Sequence, residues 1–134
     1  MRGGASHLLK TTAGPELLEP VHDLLARLWA DEPGVDERDR IRFETAVAEV
    51  AANIAEHAAA AGAARVSLRL SSSPDRIQAV FEDDGAPVET GPDQPAAGDA
   101  ERGRGLSLAR AAVDRFSYER EGATNRWVLV LGHG

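Results

Sequence analysis

Two short runs in this 134-residue chain combine residue types that suit recognition of a base and of phosphate. In Phe81-Glu82-Asp83-Asp84-Gly85 an apolar alternating stretch runs out into a carboxylate pair and a glycine. A carboxylate fixed at a strand end accepts a hydrogen bond from an exocyclic amine, and a glycine two residues on lets a flat base approach the backbone. A hairpin-end turn also explains these residues, because Asp and Gly favour turns. In Gly103-Arg104-Gly105-Leu106 two glycines stand just before an amphipathic stretch. The unsatisfied N–H groups and positive dipole of a helix start suit phosphate oxygens, and Arg102 and Arg104 add charge nearby; a loop closing onto a helix is the plainer alternative. A third group, Glu49, Asn53 and His57, is spaced by four, so on a helix the three side chains share one face. That row is either a solvated face, as Arg42, Glu44 and Glu56 elsewhere on the helix suggest, or a polar row aimed at a site.

The elements that must hold these residues follow from periodicity. From Pro15 to Ala30, Leu17, Leu18, Val21, Leu24, Leu25 and Leu28 recur at helical spacing, and Asp31-Glu32-Pro33-Gly34 stops the helix. His7 to Thr11 reads as a short edge strand before it. A longer helix begins near Asp36, with acidic residues at its start, and runs to about Ala60 before Gly62. The period then changes to two: Arg65 to Leu70 and Arg76 to Glu82 alternate around a Ser71–Asp75 turn, predicting an antiparallel hairpin. Residues 83–105 are rich in Gly, Pro, Asp and Ala and poor in large apolar residues, the composition of a lid rather than of core. A helix over Leu106–Phe116 follows, then a closing hairpin of Ser117–Arg120 and Arg126–Leu131, turned at Glu121–Asn125.

Composition bounds the function classes. The length is that of one domain, and no apolar run approaches the roughly 18 residues of a membrane span, so a soluble chain with no membrane partner is expected. The N-terminus lacks the apolar segment of a secretory signal, and there are no cysteines, which removes disulfides and thiolate chemistry; together these favour the cytoplasm. A formal net charge of −7 argues against direct binding of nucleic acid, which rests on neutralising phosphates with Lys and Arg.

Taken in order, a helix with Glu-x-x-x-Asn, a strand ending in Asp-x-Gly, a Gly/Pro-rich lid, Gly-x-Gly at a helix start and a closing hairpin resemble the ATP-binding domain of the GHKL superfamily. Glu49 to Asn53 is similar to its N box, Asp83-Asp84-Gly85 to its first glycine box and Gly103 to Leu108 to its second. The resemblance spans about residues 36–131 and is nearest to the anti-sigma-factor serine/threonine kinases. Sensor histidine kinases normally carry a dimerisation helix, and gyrase-type ATPases are far longer.

That resemblance implies one domain over residues 1–134, with a lid at about 86–102. The fold it implies is α+β, a two-layer α/β sandwich with a mixed, mostly antiparallel sheet and about three helices on one face, the Bergerat fold. It implies ATP and Mg²⁺ as cofactors. Asn53 would ligate Mg²⁺, Glu49 would be the general base, Asp83 would hold the adenine amine and Gly85 would make room for the base. Arg102, Gly103, Arg104, Gly105 and Leu106 would cradle phosphates, and Thr124 would lie near the adenine or phosphate. The partners it implies are an anti-sigma-factor antagonist, a STAS-like protein, or a sigma factor, and a homodimer is compatible. A non-catalytic ATP/ADP-binding switch and an interaction domain without nucleotide are the alternatives. Two positions depart from the family pattern. Pro87 stands where the fuller first box has its last glycine, and Glu101-Arg102 precede the second box, leaving Arg102 and Arg104 both as candidates for the γ-phosphate.

Overall fold

The alternating stretches pair as their period dictates. A computed structural model describes residues 5–61, 64–85 and 100–133, with backbone alone for 58–61 and 100–105. In chain order the elements are β1 (Ser6–Thr12), a single 3₁₀ turn (Pro15–Leu17) opening directly into α1 (Leu18–Asp31), α2 (Glu37–Ala61), β2 (Arg65–Ser73), β3 (Arg76–Asp83), α3 (Ala100–Ala112), β4 (Arg115–Glu121) and β5 (Thr124–Gly132). The five strands form one sheet in the order β1-β2-β3-β5-β4. Among the described residues every pairing is antiparallel, so the sheet they form is not mixed. β1 is an edge strand, as its position in the sequence suggested.

Period two sends one set of side chains to the helices and the other away from them. On β2 and β3 the inward set is Val66, Leu68, Leu70, Ile77, Ala79 and Phe81, and on β5 it is Trp127, Leu129 and Leu131, all buried. Against them pack the apolar faces of the helices, including Leu25 and Leu28 of α1, Phe43, Val47 and Val50 of α2, and Ala109 of α3. Ala46 and Ala51, fully buried, keep α2 slim where its neighbours approach. Among the described residues no helix is long and apolar enough to cross a membrane.

Local chemistry fixes the boundaries. Asp36 caps α2: its Oδ1 accepts from the N–H of Arg38 at 2.7 Å and faces that of Asp39 at 3.4 Å. The β4–β5 turn is tighter than the sequence suggested, since Glu121 pairs with Thr124 and only Gly122 and Ala123 stand between. Gly122 has φ 62°, the positive value that a two-residue hairpin turn demands of its first central residue. Asn125 therefore belongs to β5 and not to the turn.

The third helix differs most from the sequence reading. It begins at Ala100 and ends at Ala112, whereas Leu106–Phe116 was expected. At its end the reason is packing: Phe116 and Tyr118 alternate with exposed Arg115, Ser117 and Glu119, and both rings meet Trp127, at centroid distances of 6.2 and 4.5 Å. That contact makes the segment a strand. At its start, Ala100-Glu101-Arg102 are good helix formers that carry the helix back through Gly103 and Gly105. Each glycine costs a helix interior about 1 kcal/mol relative to Ala, so these first turns are its weakest part.

The cap supplies a test. Replacing Asp36 by Ala should cost about 1 kcal/mol, lowering the thermal midpoint by roughly 3–5 °C, while Asp36→Asn stays within a few tenths of a kcal/mol. Differential scanning calorimetry of the two variants checks both values.

Candidate functional site

The inward face of β3 reads Ile77, Ala79, Phe81 and then Asp83, so the alternation that builds the core also turns a carboxylate inward at the strand's last residue. Asp83 is 8% exposed. Its neighbour Asp84 faces the other way and straps the hairpin end, accepting from the Arg65 N–H at 2.7 Å. The two carboxylates that the sequence presents as a pair thus have separate work.

Asp83 is held on one side only. Its Oδ1 accepts from the Gly85 N–H at 3.0 Å, an Asx-type turn, and from Asn125 Nδ2 at 2.9 Å. No described residue donates to its Oδ2. A Cβ on Gly85 would lie 3.1 Å from Asp83 Oδ1 and 3.5 Å from the Ala64 side chain. A side chain there would therefore press on the carboxylate and displace it by a few tenths of an ångström, before any ligand is considered.

The row of three lies along α2. Asn53 is 4% exposed, and its Oδ1 is buried without a hydrogen-bond donor among the described residues. An unsatisfied buried acceptor costs on the order of 1–3 kcal/mol, so the position is not one that folding stability would choose. Glu49, one turn earlier, is half-buried, and so is His57 one turn later. No described group bonds to the Glu49 carboxylate. The row is accordingly not a fully solvated face: its middle member is sealed in.

The remaining residues singled out in the sequence lie as follows. Leu106 is in the core, 5% exposed, so its side chain packs and only its backbone is available to a ligand. Gly103 and Gly105 fall within α3, not ahead of it. The N–H groups left free by a helix start are its first four, which puts Gly103 at their limit and Gly105 beyond them. The side chains of Arg102 and Arg104, and Pro87 with most of the lid, lie outside the described residues. Thr124 is exposed and borders a cavity of about 570 Å³ with Thr12, Arg65, Ser67, Asp83 and Asp84. Its described lining comes from the sheet strands and the residue after β3, with none from α2, so Asn53 does not border it.

The sequence reading missed three residues here. Asn125, 1% exposed, stands directly across from Asp83 in the β3–β5 register. Its Oδ1 accepts from Tyr118 OH at 2.5 Å and from Arg120 Nη1 at 3.0 Å, and Arg120 also donates to the Gly85 carbonyl at 2.9 Å. A signal existed: Asn125, Trp127, Leu129 and Leu131 share one parity, which makes the asparagine the polar end of an apolar inward row.

A helical layer over one face of an antiparallel sheet, with a buried carboxylate at a strand end and a buried amide oxygen on a covering helix, defines an α+β sandwich of the Bergerat type. Residues 11–131 match the histidine kinase-like ATPase domain, and the chain belongs to that family. Among solved structures it is similar to a crystal structure of the RsbU and RsbW domains of Rv1364c from Mycobacterium tuberculosis, with TM-score 0.65 and 20% identity over 95% of this chain. At that identity the likeness speaks for the fold, and this chain spans only 32% of that one. No curated protein sequence matches it.

If Asn53 is kept for binding at the expense of folding, Asn53→Leu should be at least as stable as the parent. A gain of up to about 1–3 kcal/mol in urea unfolding is expected from removing the unpaired acceptor. A loss of comparable size would mean that the amide has a structural partner.

Proposed function

We propose that this domain binds Mg·ATP and transfers the γ-phosphoryl group to a Ser or Thr hydroxyl of an anti-sigma-factor antagonist, a STAS-like protein, with a sigma factor as the other protein it can hold. The observation that carries the reading is Asn53, a buried amide oxygen with no donor among the described residues, four residues after Glu49 on the same helix. An oxygen donor fits a hard cation such as Mg²⁺. Among the described residues no group of three acidic or histidine side chains could hold a metal. The remaining ligands would be phosphate and water oxygens, as Mg²⁺ commonly prefers. When bound, the cation would supply positive charge that offsets the charge on the phosphates.

The chain's own residues would do the rest. Asp83, through its uncommitted Oδ2, would accept from the adenine amine, and Gly85 would leave room for the ring. The backbone N–H groups opening α3, with Gly103 and Gly105 giving close approach and Arg102 or Arg104 adding charge, would hold the phosphates. Leu106 anchors that helix to the core, and Thr124 would border the nucleotide. Glu49 would take the proton from the substrate hydroxyl as its oxygen bonds to the γ-phosphorus and the β–γ bridge breaks, releasing ADP. The sequence resemblance to anti-sigma-factor kinases, and the likeness in fold to a chain with an RsbW domain, support the choice of protein substrate over histidine. One domain over the whole chain and a cytoplasmic location go with this reading.

Two measurements test it. In calorimetric titration with a non-hydrolysable ATP analogue and Mg²⁺, the parent chain should bind saturably, and Asp83→Asn should bind at least about tenfold more weakly, because one acceptor becomes a donor facing an amine. With Mg·[γ-³²P]ATP and a cognate antagonist, Glu49→Gln should lose roughly 10²–10⁴-fold in transfer while retaining nucleotide affinity. Transfer unaffected by that change would remove Glu49 as the base. Binding without any transfer to a verified partner would leave a nucleotide-dependent switch.

A further inference from the structure

The side-chain amide of Asn125 meets four described groups, and the direction of each bond matters. A primary amide offers two donor hydrogens and an oxygen with two lone pairs. In Asn125 the nitrogen donates to Asp83 Oδ1 at 2.9 Å and toward the Gly85 carbonyl at 3.3 Å, and the oxygen receives Tyr118 OH and Arg120 Nη1 at 2.5 and 3.0 Å. Reversing the amide would set its oxygen against a carboxylate and a carbonyl, and its N–H₂ against a guanidinium. Only one orientation is therefore compatible with these neighbours, and β4 enforces it through two side chains.

The geometry points to Asn125 as the positioning residue that aims Asp83 at a base. We infer that the Tyr118–Asn125–Arg120 cluster on the β4–β5 hairpin holds Asp83 Oδ1, so that Oδ2 remains an acceptor directed at the exocyclic amine of adenine. The inference rests on the proposal that Asp83 binds adenine, and it adds a second layer to that contact. Three observations support it together. Asn125 is 1% exposed, so its bonds do not exchange with water. It stands opposite Asp83 in the ladder, so the contact is set by strand register and not by a mobile loop. And Gly85, the other donor to Oδ1, is itself tied down through its carbonyl to Arg120 at 2.9 Å. Both donors to Oδ1 thus depend on the same hairpin. Without Asn125 the carboxylate keeps one donor and gains freedom to rotate, and the preference for an amine should fall while contacts to the phosphates remain.

The test is a cycle between protein and ligand. Competition binding is measured for ATP and for purine riboside 5′-triphosphate, which lacks the 6-amino group, with the parent chain, Asn125→Ala and Tyr118→Phe. The parent should prefer ATP by roughly tenfold or more, the value of a hydrogen bond to a charged group. Asn125→Ala should lose most of that preference by weakening ATP alone, with purine riboside triphosphate unchanged within about twofold. Unchanged binding of the second nucleotide also reports an intact fold. Tyr118→Phe, which removes one hydroxyl on the far side of Asn125, should lose a smaller part of the same preference; it serves if Asn125→Ala does not fold. Equal weakening of both nucleotides would reduce Asn125 to a structural role, and a full retained preference in both variants would overturn the inference while leaving Asp83 in place. No preference in the parent chain would instead remove Asp83 as the adenine ligand, and this inference with it.

Discussion

The inward faces of β3 and β5 are apolar for three residues each and then end, at the same rung, in a carboxylate and an amide: Asp83 opposite Asn125. A charge at that depth must be hydrogen-bonded or it destabilises the fold by several kcal/mol. Asn125 and the Gly85 N–H meet the requirement at one oxygen and leave the other without a partner among the described residues. The tilted ring contact of Tyr118 with Trp127 supports the pairing of β4 with β5, and β4 in turn supplies the two donors that fix Asn125. Core packing and polar positioning are therefore one construction, since the strand pairing that buries the apolar rows also sets Asn125 against Asp83.

The helical layer obeys a different balance. α2 buries Phe43, Val47, Val50 and Ile54 on the face that meets the core, and the same packing encloses Asn53. Leucine would satisfy that environment better than an amide whose oxygen accepts from none of the described residues. A residue that stability alone would replace supports the proposed binding role, and it sits on the longest of the described helices. At α3 the balance is reversed. Two glycines in the first turns make a helix start that costs little to rearrange, which suits a segment beside a ligand better than a rigid cap would.

Much of this was legible in the chain itself, for identifiable reasons. The first two helices and the β2–β3 hairpin are written as long periodic patterns, and every apolar position in them repeats the same message. Asp83 and Gly85 were visible because they end such a pattern. Asn125 was not, because Gly122, Ala123, Thr124 and Asn125 read equally well as one loop, and only the pairing of Glu121 with Thr124 draws the strand boundary ahead of it. The start and end of α3 were misread for a related reason. Residues 113–118 fit either period, and the decision falls to Trp127, a residue distant in sequence whose ring Phe116 and Tyr118 meet only once β5 lies between β3 and β4.

The sequence by itself determined the element types, the single covered face and the residue kinds at the site, since periodicity, turn chemistry and the order of the motifs are local properties that each segment carries alone. Which partner each buried polar atom finds was decided only by the tertiary structure. Strand register sets Asn125 against Asp83, hairpin geometry brings Arg120 to Gly85, and helix packing closes over Asn53 without giving its oxygen a donor among the described residues. These are relations between segments 35 to 42 residues apart, as from Gly85 to Arg120 and from Asp83 to Asn125, and no local pattern encodes them.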